Sequence, residues 1–294
     1  MPVNPLKISN RAEALASRLP PLVLEAEKIA ATIAQGLHGL RRAGQGDDFW
    51  QYRPYLPGDP ASMIDWRRSA RSQSLFVRQR EFTAPQTLWL WTDTSPSMVY
   101  RSRNKLPSKV RRGALLLLAM IALMARSGER FSILESGIPP MTGKSGLYRA
   151  SEFIVDETRR TQNLPPFYIL PRHSQVVFFG DFLSPLRDIK KLINQYASLS
   201  VTGHIVQILD PAENRLPFSG RVMFEGLESA DGDVEVKRVD NIKESYHRRV
   251  KSHRHGIATL CREAGWSYSF HRTDRSPVSA LQEIYLPLST RWVR

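Results

Sequence analysis

The sequence predicts an α/β protein whose main body is a doubly wound, mostly parallel sheet, preceded by a helical and irregular N-terminal region. Two observations carry this. From Thr87 onward short apolar runs alternate with helix-length amphipathic stretches, the pattern of a sheet covered on both faces. Those runs, such as Leu88–Trp91 and Val176–Phe179, are continuous rather than alternating, as strands buried on both faces must be.

Leu22–Leu40 reads as a helix, with Ala26, Ile29, Ala30, Ile33, Ala34 and Leu37 at three- and four-residue spacing until Gly36, Gly39, Gly44 and Gly46 break the pattern. Asp47–Ala61, rich in Pro, Gly and aromatic residues, reads as an ordered irregular segment, and Ser74–Phe82 alternates like a strand. Strands are expected at Thr87–Trp91, Arg130–Glu135, Gln175–Phe179, His204–Leu209 and Trp266–His271. Helices are expected between and after them at Lys109–Arg126, Leu147–Arg160, Leu186–Leu199, Asn241–Ala264 and Pro277–Leu286, with Gly128 and Gly265 as C-caps. Residues 211–239 break the alternation, and Arg221–Glu225 with Val234–Lys237 predicts a small β insertion around Asp231-Gly232-Asp233. Residues 1–86 thus form an N-terminal region and residues 87–294 the α/β domain.

The single cysteine, Cys261, excludes an internal disulfide and a cysteine-based zinc site. The longest apolar run, Ala114–Ala125, is too short to span a bilayer, and the N-terminus lacks the form of a signal peptide, so a cytoplasmic protein is expected. The formal charge of +14 is concentrated in Arg101–Arg112 and Lys237–Arg254. Such clusters favour an acidic or polyanionic partner. Neither interleaves aromatics or joins a nucleic-acid-binding motif, so nucleic acid is the runner-up partner, and a solvated helix face the simplest reading of each run.

The most informative stretch is Leu88–Trp91 followed by Asp93-Thr94-Ser95-Pro96-Ser97. It places one carboxylate and two hydroxyls at the carboxyl end of a strand, the edge where open α/β sheets bind ligands. All are oxygen donors, suited to a hard divalent cation such as Mg²⁺. A plain turn or helix N-cap is the competing reading. Asp181 ends a second apolar strand at the same edge, and two neighbouring carboxylates repel unless a cation lies between them. Asp210 also ends a strand, but Pro211 suggests a turn. Thr142 or Ser145, before the Leu147 helix, would supply a further hydroxyl, with an N-cap the competing role for Ser145.

Thr142-Gly143-Lys144-Ser145 is not a phosphate-binding loop: the upstream spacing is wrong, and Pro139 and Pro140 remove backbone donors. Ser95 is not in a Gly-x-Ser-x-Gly elbow, and the histidines of the basic helix lack an orienting acid at ligand spacing, so they read as solvated.

The strand-end Asp-x-Ser-x-Ser, later Thr and later strand-end Asp resemble the metal-ion-dependent adhesion site of von Willebrand factor type A domains. The resemblance implies Mg²⁺ or Mn²⁺ held by Asp93, Ser95, Ser97, Thr142 and Asp181, with a partner's acidic side chain as the last ligand. Upstream, Tyr52-Arg53-Pro54-Tyr55-Leu56-Pro57-Gly58-Asp59, Ile64-Asp65-Trp66-Arg67-Arg68-Ser69-Ala70-Arg71 and Leu75-Phe76-Val77-Arg78 resemble the bacterial family catalogued as domain of unknown function fifty-eight. Asp210-Pro211-Ala212-Glu213 and Leu216–Gly220 extend that likeness. Ser62 and Met63 stand where that family usually has a basic pair. The resemblance implies a non-enzymatic adaptor or co-chaperone for a MoxR-type AAA+ ATPase. Within the upstream motif, Asp65, Trp66, Arg67 and Arg71 read either as part of a buried ion-pair network docking the segment or as a partner-binding surface.

Overall fold

Apolar β-branched and aromatic runs build a five-stranded, wholly parallel sheet. A computed structural model describes residues 21–37, 49–57, 59–72, 74–80, 87–155, 163–227 and 232–292. The chain divides into a larger unit, Met1–Gln35 with Gln86–Arg294, and a smaller one, Gly36–Pro85.

In the larger unit, helix α1 (Pro21–Leu37) buries Val23, Ala26, Ile29, Ala30 and Ile33. In the smaller unit, β1 (Phe49–Pro54) pairs antiparallel with β2 (Phe76–Arg80). Strand β1 lies where an irregular segment was expected. Pro54 is its last residue, and a terminal proline costs the ladder nothing further along.

In the larger unit follow β3 (Thr87–Thr92), α2 (Lys109–Ser127), β4 (Arg130–Ile133), α3 (Gly143–Val155), β5 (Gln175–Gly180), α4 (Leu186–Ala197), β6 (Thr202–Leu209) and the short α5 (Pro211–Arg215). A hairpin of β7 (Val222–Phe224) and β8 (Val234–Val236) comes next, then α6 (Lys243–Glu263), β9 (Ser267–Arg272) and α7 (Pro277–Trp292). The sheet order is β4-β3-β5-β6-β9. Every residue of β5 is buried, which explains its unbroken apolar run. On one face Trp91 and Phe178 pack with Ile189, Ile193 and Tyr196 of α4 and with Ile257 and Cys261 of α6. Helices α3 and α7 each pack on α2, and α2 packs against β3.

All five strands of the parallel sheet and the insertion hairpin lie where the sequence puts them, within about two residues. Four details differ. Helix α3 begins at Gly143, so Ser145 lies inside its first turn rather than capping it; residues 156–160 of the expected helix fall outside the described residues. Helix α7 continues through Pro287 because its apolar stripe does, with Ile284 and Leu288 both buried. Asp210-Pro211 opens α5 rather than a simple turn: Asp210 accepts from the Ala212 N–H, Glu213 reaches back to the Asp210 N–H, and Pro211 fills the first position, where its missing donor is harmless. The basic clusters are not wholly solvated. Lys109 and Arg112 are buried, Arg112 donating to the carbonyls of Thr273 and Arg275. Arg254 stacks on Phe270 with its guanidinium 3.3 Å from the ring centre. Among the described residues no helix is long and apolar enough to cross a membrane.

Gly203 of β6 faces the indole of Trp266: a Cβ there would lie 2.3 to 2.5 Å from three ring atoms. Trp266 is buried and donates its indole N–H to the Val201 carbonyl, so it has little room to retreat. Gly203→Ala is expected to cost about 1–3 kcal/mol of stability, read as a lowered urea midpoint with unchanged slope.

Candidate metal centre at the carboxyl edge of the sheet

After β3 the chain builds outward to β4 on one side; it then crosses back to β5 and continues through β6 and β9 on the other. The winding reverses between β3 and β5, and the crevice beyond the carboxyl ends of two such strands is where α/β sheets accept ligands. Asp93 follows β3 and Asp181 follows β5, and the Asp93 N–H donates to the Phe179 carbonyl at 2.8 Å. Gly180 makes the fit possible, since a Cβ there would stand 3.1 Å from Asp93 Cβ and 3.4 Å from its Oδ2.

The Asp-x-Ser-x-Ser loop folds over this point. The Ser95 N–H donates to Asp93 Oδ1 at 2.8 Å. Ser95 and Ser97 hydroxyls lie 3.2 Å apart, and Ser97 Oγ donates to Asp181 Oδ2 at 2.8 Å. Ser95 immediately precedes a 3₁₀ turn, Pro96–Val99, yet its side chain makes no capping bond, so its hydroxyl is not spent on the N-cap role that competes in the sequence. Met98, buried, anchors the turn from below.

Asp181 is held from four directions. Its Oδ1 accepts from the Leu183 N–H at 3.2 Å, its carbonyl from Gln207 Nε2 at 2.8 Å, and its Oδ2 from Ser97 and from Lys109 Nζ at 2.9 Å. Lys109, the first residue of α2, is fully buried and also reaches Glu213 Oε1 at 2.5 Å. Burial alone would lower its pKa, but Asp181 and Glu213 together outweigh that and hold the ammonium above its ordinary value. Burial raises the Glu213 pKa, with Lys109 opposing. His253, half-buried, lies with its Nε2 2.7 Å from the Phe182 carbonyl, while His247, exposed as expected, has its Nε2 2.7 Å from the Arg215 carbonyl at the end of α5.

Asp93 is different. It is fully buried, and among the described residues its Oδ2 has no hydrogen-bond partner. Burial first, and then Asp181, push its pKa up to about 7, against the opposing pull of the Ser95 bonds and Lys109. A carboxylate oxygen sealed from water without a donor is costly unless something binds it. The orphaned oxygen, two serine hydroxyls and a second carboxylate form an all-oxygen donor set that fits Mg²⁺ or Mn²⁺. It is a site of two acids: among the described residues no three His, Cys, Asp or Glu side chains cluster as metal ligands.

Of the sequence-predicted residues, Asp93, Ser95, Ser97 and Asp181 come together. Thr142 does not. Met141 pairs antiparallel with Phe131 of β4, so the chain at Thr142 is running back toward the amino end of that strand, away from the crevice, and Thr142 is exposed. Asp65, Trp66, Arg67 and Arg71 belong to the smaller unit, where Trp66, Arg67 and Arg71 are exposed rather than buried in an ion-pair network. The sequence reading missed Lys109 and Glu213. Glu213 carried a legible signal, the Asp-x-x-Glu capping box; Lys109 carried none, being one cation in a basic run.

Two outcomes follow from this geometry. Lys109→Met strands two carboxylates and is expected to cost roughly 3–5 kcal/mol, measured by chemical denaturation. The Asp93 pKa is raised on folding, so its contribution to stability is full below its unfolded value, near 3.8, and is lost as pH rises through about 7. In EDTA the protein is expected to lose stability across that window, and Asp93→Asn to flatten the loss, as thermal melts at stepped pH would record.

Known proteins resemble this chain over most of its length. A family model described as "Protein of unknown function DUF58" matches residues 51–256. Uncharacterised proteins of Mycobacterium tuberculosis and Mycobacterium bovis are each 24% identical over 289 residues, covering 87% of this chain and 86% of theirs. Among solved structures, an aerotolerance-related membrane protein from Bacteroides fragilis aligns with TM-score 0.40 and 11% identity, over 70% of this chain and 99% of that one. BatB from Bacteroides thetaiotaomicron, a conserved hypothetical protein, aligns with TM-score 0.38 and 11% identity, over 70% and 98%.

Proposed function

The chain belongs to the DUF58 family, and we propose that it is a non-enzymatic, divalent-metal-dependent protein-interaction module. In this reading Asp93, Ser95, Ser97 and Asp181 hold Mg²⁺ or Mn²⁺ in the manner of a von Willebrand factor A adhesion site. The observation that carries it is the buried, partnerless Asp93 Oδ2 beside two serine hydroxyls at the switch point of the sheet. The bound cation supplies a Lewis-acidic point for an acidic side chain of a partner. The chain's own residues fix the donors: the Ser95 N–H orients Asp93, and Lys109 and the Leu183 N–H orient Asp181. The partner we propose is a MoxR-type AAA+ ATPase, with this chain as its adaptor or co-chaperone. Thr142 is not part of the proposed ligand set.

Binding of nucleic acid through the basic clusters is the rival reading. Burial of Lys109 and Arg112 and stacking of Arg254 on Phe270 take charge out of those clusters and weaken it.

Mg²⁺ is expected to raise the melting temperature of the wild type, and Asp93→Ala to abolish that rise while leaving the metal-free protein folded. In pull-downs from host extract, Mg²⁺ is expected to recover an ATPase with the wild type and neither EDTA nor Asp93→Ala to do so. An Asp93→Ala protein that keeps both the Mg²⁺ shift and its partners would end this reading. Capture of nucleic acid that ignores chelator but falls steeply with salt would favour the rival.

A further inference from the structure

The smaller unit holds a second polar site, separate in composition from the metal centre. A cavity of about 520 Å³, within the ~300–1,000 Å³ of ligand sites, is lined by Tyr52, Asp65, Arg67, Arg68, Arg71, Ser72 and Phe76. Its wall is a short helical turn, Trp66–Ser69, laid across the β1–β2 hairpin. Asp65 caps the turn by accepting from the Arg68 N–H at 3.0 Å, and Ser69 Oγ accepts from the Phe76 N–H at 2.9 Å. The Tyr52 hydroxyl donates to Asp65 Oδ2 at 3.1 Å. Arg68 lies over the rings of Tyr52, 4.3 Å from its centre, and of Phe76, 5.3 Å away, so its guanidinium is positioned by cation–π contacts rather than by an acid. Arg67 and Arg71 are exposed at the cavity, and among the described residues none of the three arginines has a carboxylate partner.

We propose that this cavity binds a carboxylate-bearing segment of a protein partner. Three guanidinium groups against one acid leave the cavity cationic, and the planar guanidinium fork matches a carboxylate in bidentate geometry. A nucleic acid fits less well: Arg68 already lies over the two aromatic rings of the wall and competes with a base for that face, and Asp65 repels a polyphosphate more than a single carboxylate. Trp66, 63% exposed on the same turn, offers apolar contact to the flanking residues of a peptide. The proposal does not rest on the metal centre, and its test separates the two.

The test is fluorescence anisotropy on the full chain with a fluorescein-labelled hexaglutamate peptide, in EDTA. Hexaglutamine is the neutral control, and inorganic phosphate and oligothymidylate are competitors. Hexaglutamate is expected to bind and hexaglutamine not. Arg67→Gln/Arg71→Gln, both at exposed positions, is expected to weaken binding about tenfold or more with an unchanged urea midpoint, and Asp93→Ala to leave it unchanged. Equal binding of the two peptides, or a double variant that binds hexaglutamate like the wild type, overturns the proposal. So does an oligothymidylate or phosphate affinity that exceeds that for hexaglutamate and depends on the same arginines.

Discussion

The carboxyl edge of the sheet depends on one buried ammonium. Lys109, fully buried at the start of α2, meets the buried Asp181 that follows β5 and the half-buried Glu213 of α5. Three segments distant in the chain are thereby tied at a single atom. A buried ion pair is costly to desolvate and justified only when its geometry is complete. Here it is: both carboxylates have further donors, the Ser97 hydroxyl and Leu183 N–H for Asp181 and the Asp210 N–H for Glu213. The contrast with Asp93 is informative. One acid at the edge is fully provided for by the protein, and its neighbour keeps an oxygen unfilled. That asymmetry is why the crevice reads as a binding site rather than as an internal salt-bridge cluster.

The same ammonium sets the charge of the site. With every acid ionised, Asp93, Asp181 and Glu213 carry three negative charges and Lys109 one positive, so a divalent cation brings the group to neutrality. Without it, the group sheds charge by protonating Asp93, the acid that burial and Asp181 push upward. At the proposed site metal and proton would therefore compete for one oxygen, and neutral to mildly alkaline solution would favour the metal.

Much of this was legible in the sequence because the signals were local. Continuous apolar runs mark strands buried on both faces, and an acid directly after such a run must sit at the carboxyl edge, which places Asp93 and Asp181 together once β3 and β5 are neighbours. What was hidden depended on contacts far along the chain. Lys109 lies 72 positions from Asp181 and 104 from Glu213, and nothing in a basic run distinguishes the cation that turns inward from those that stay in solvent. Thr142 was a candidate from the resemblance, and one antiparallel bridge at Met141 reverses the chain and carries it to the other end of the sheet. Strand β1 was obscured by Pro54 and by aromatic residues that read equally well as an irregular loop.

The parallel register of β3 and β5 has a consequence for when the site comes into being. Ser97 and Asp181 are 84 positions apart, and α2, β4 and α3 must be threaded between them before the two strands can pair. During synthesis, the Asp-x-Ser-x-Ser loop leaves the ribosome long before its second carboxylate exists. A metal ion therefore cannot nucleate this fold as zinc nucleates a finger. An ion held at the proposed site would meet a finished sheet, and its grip would report that assembly is complete.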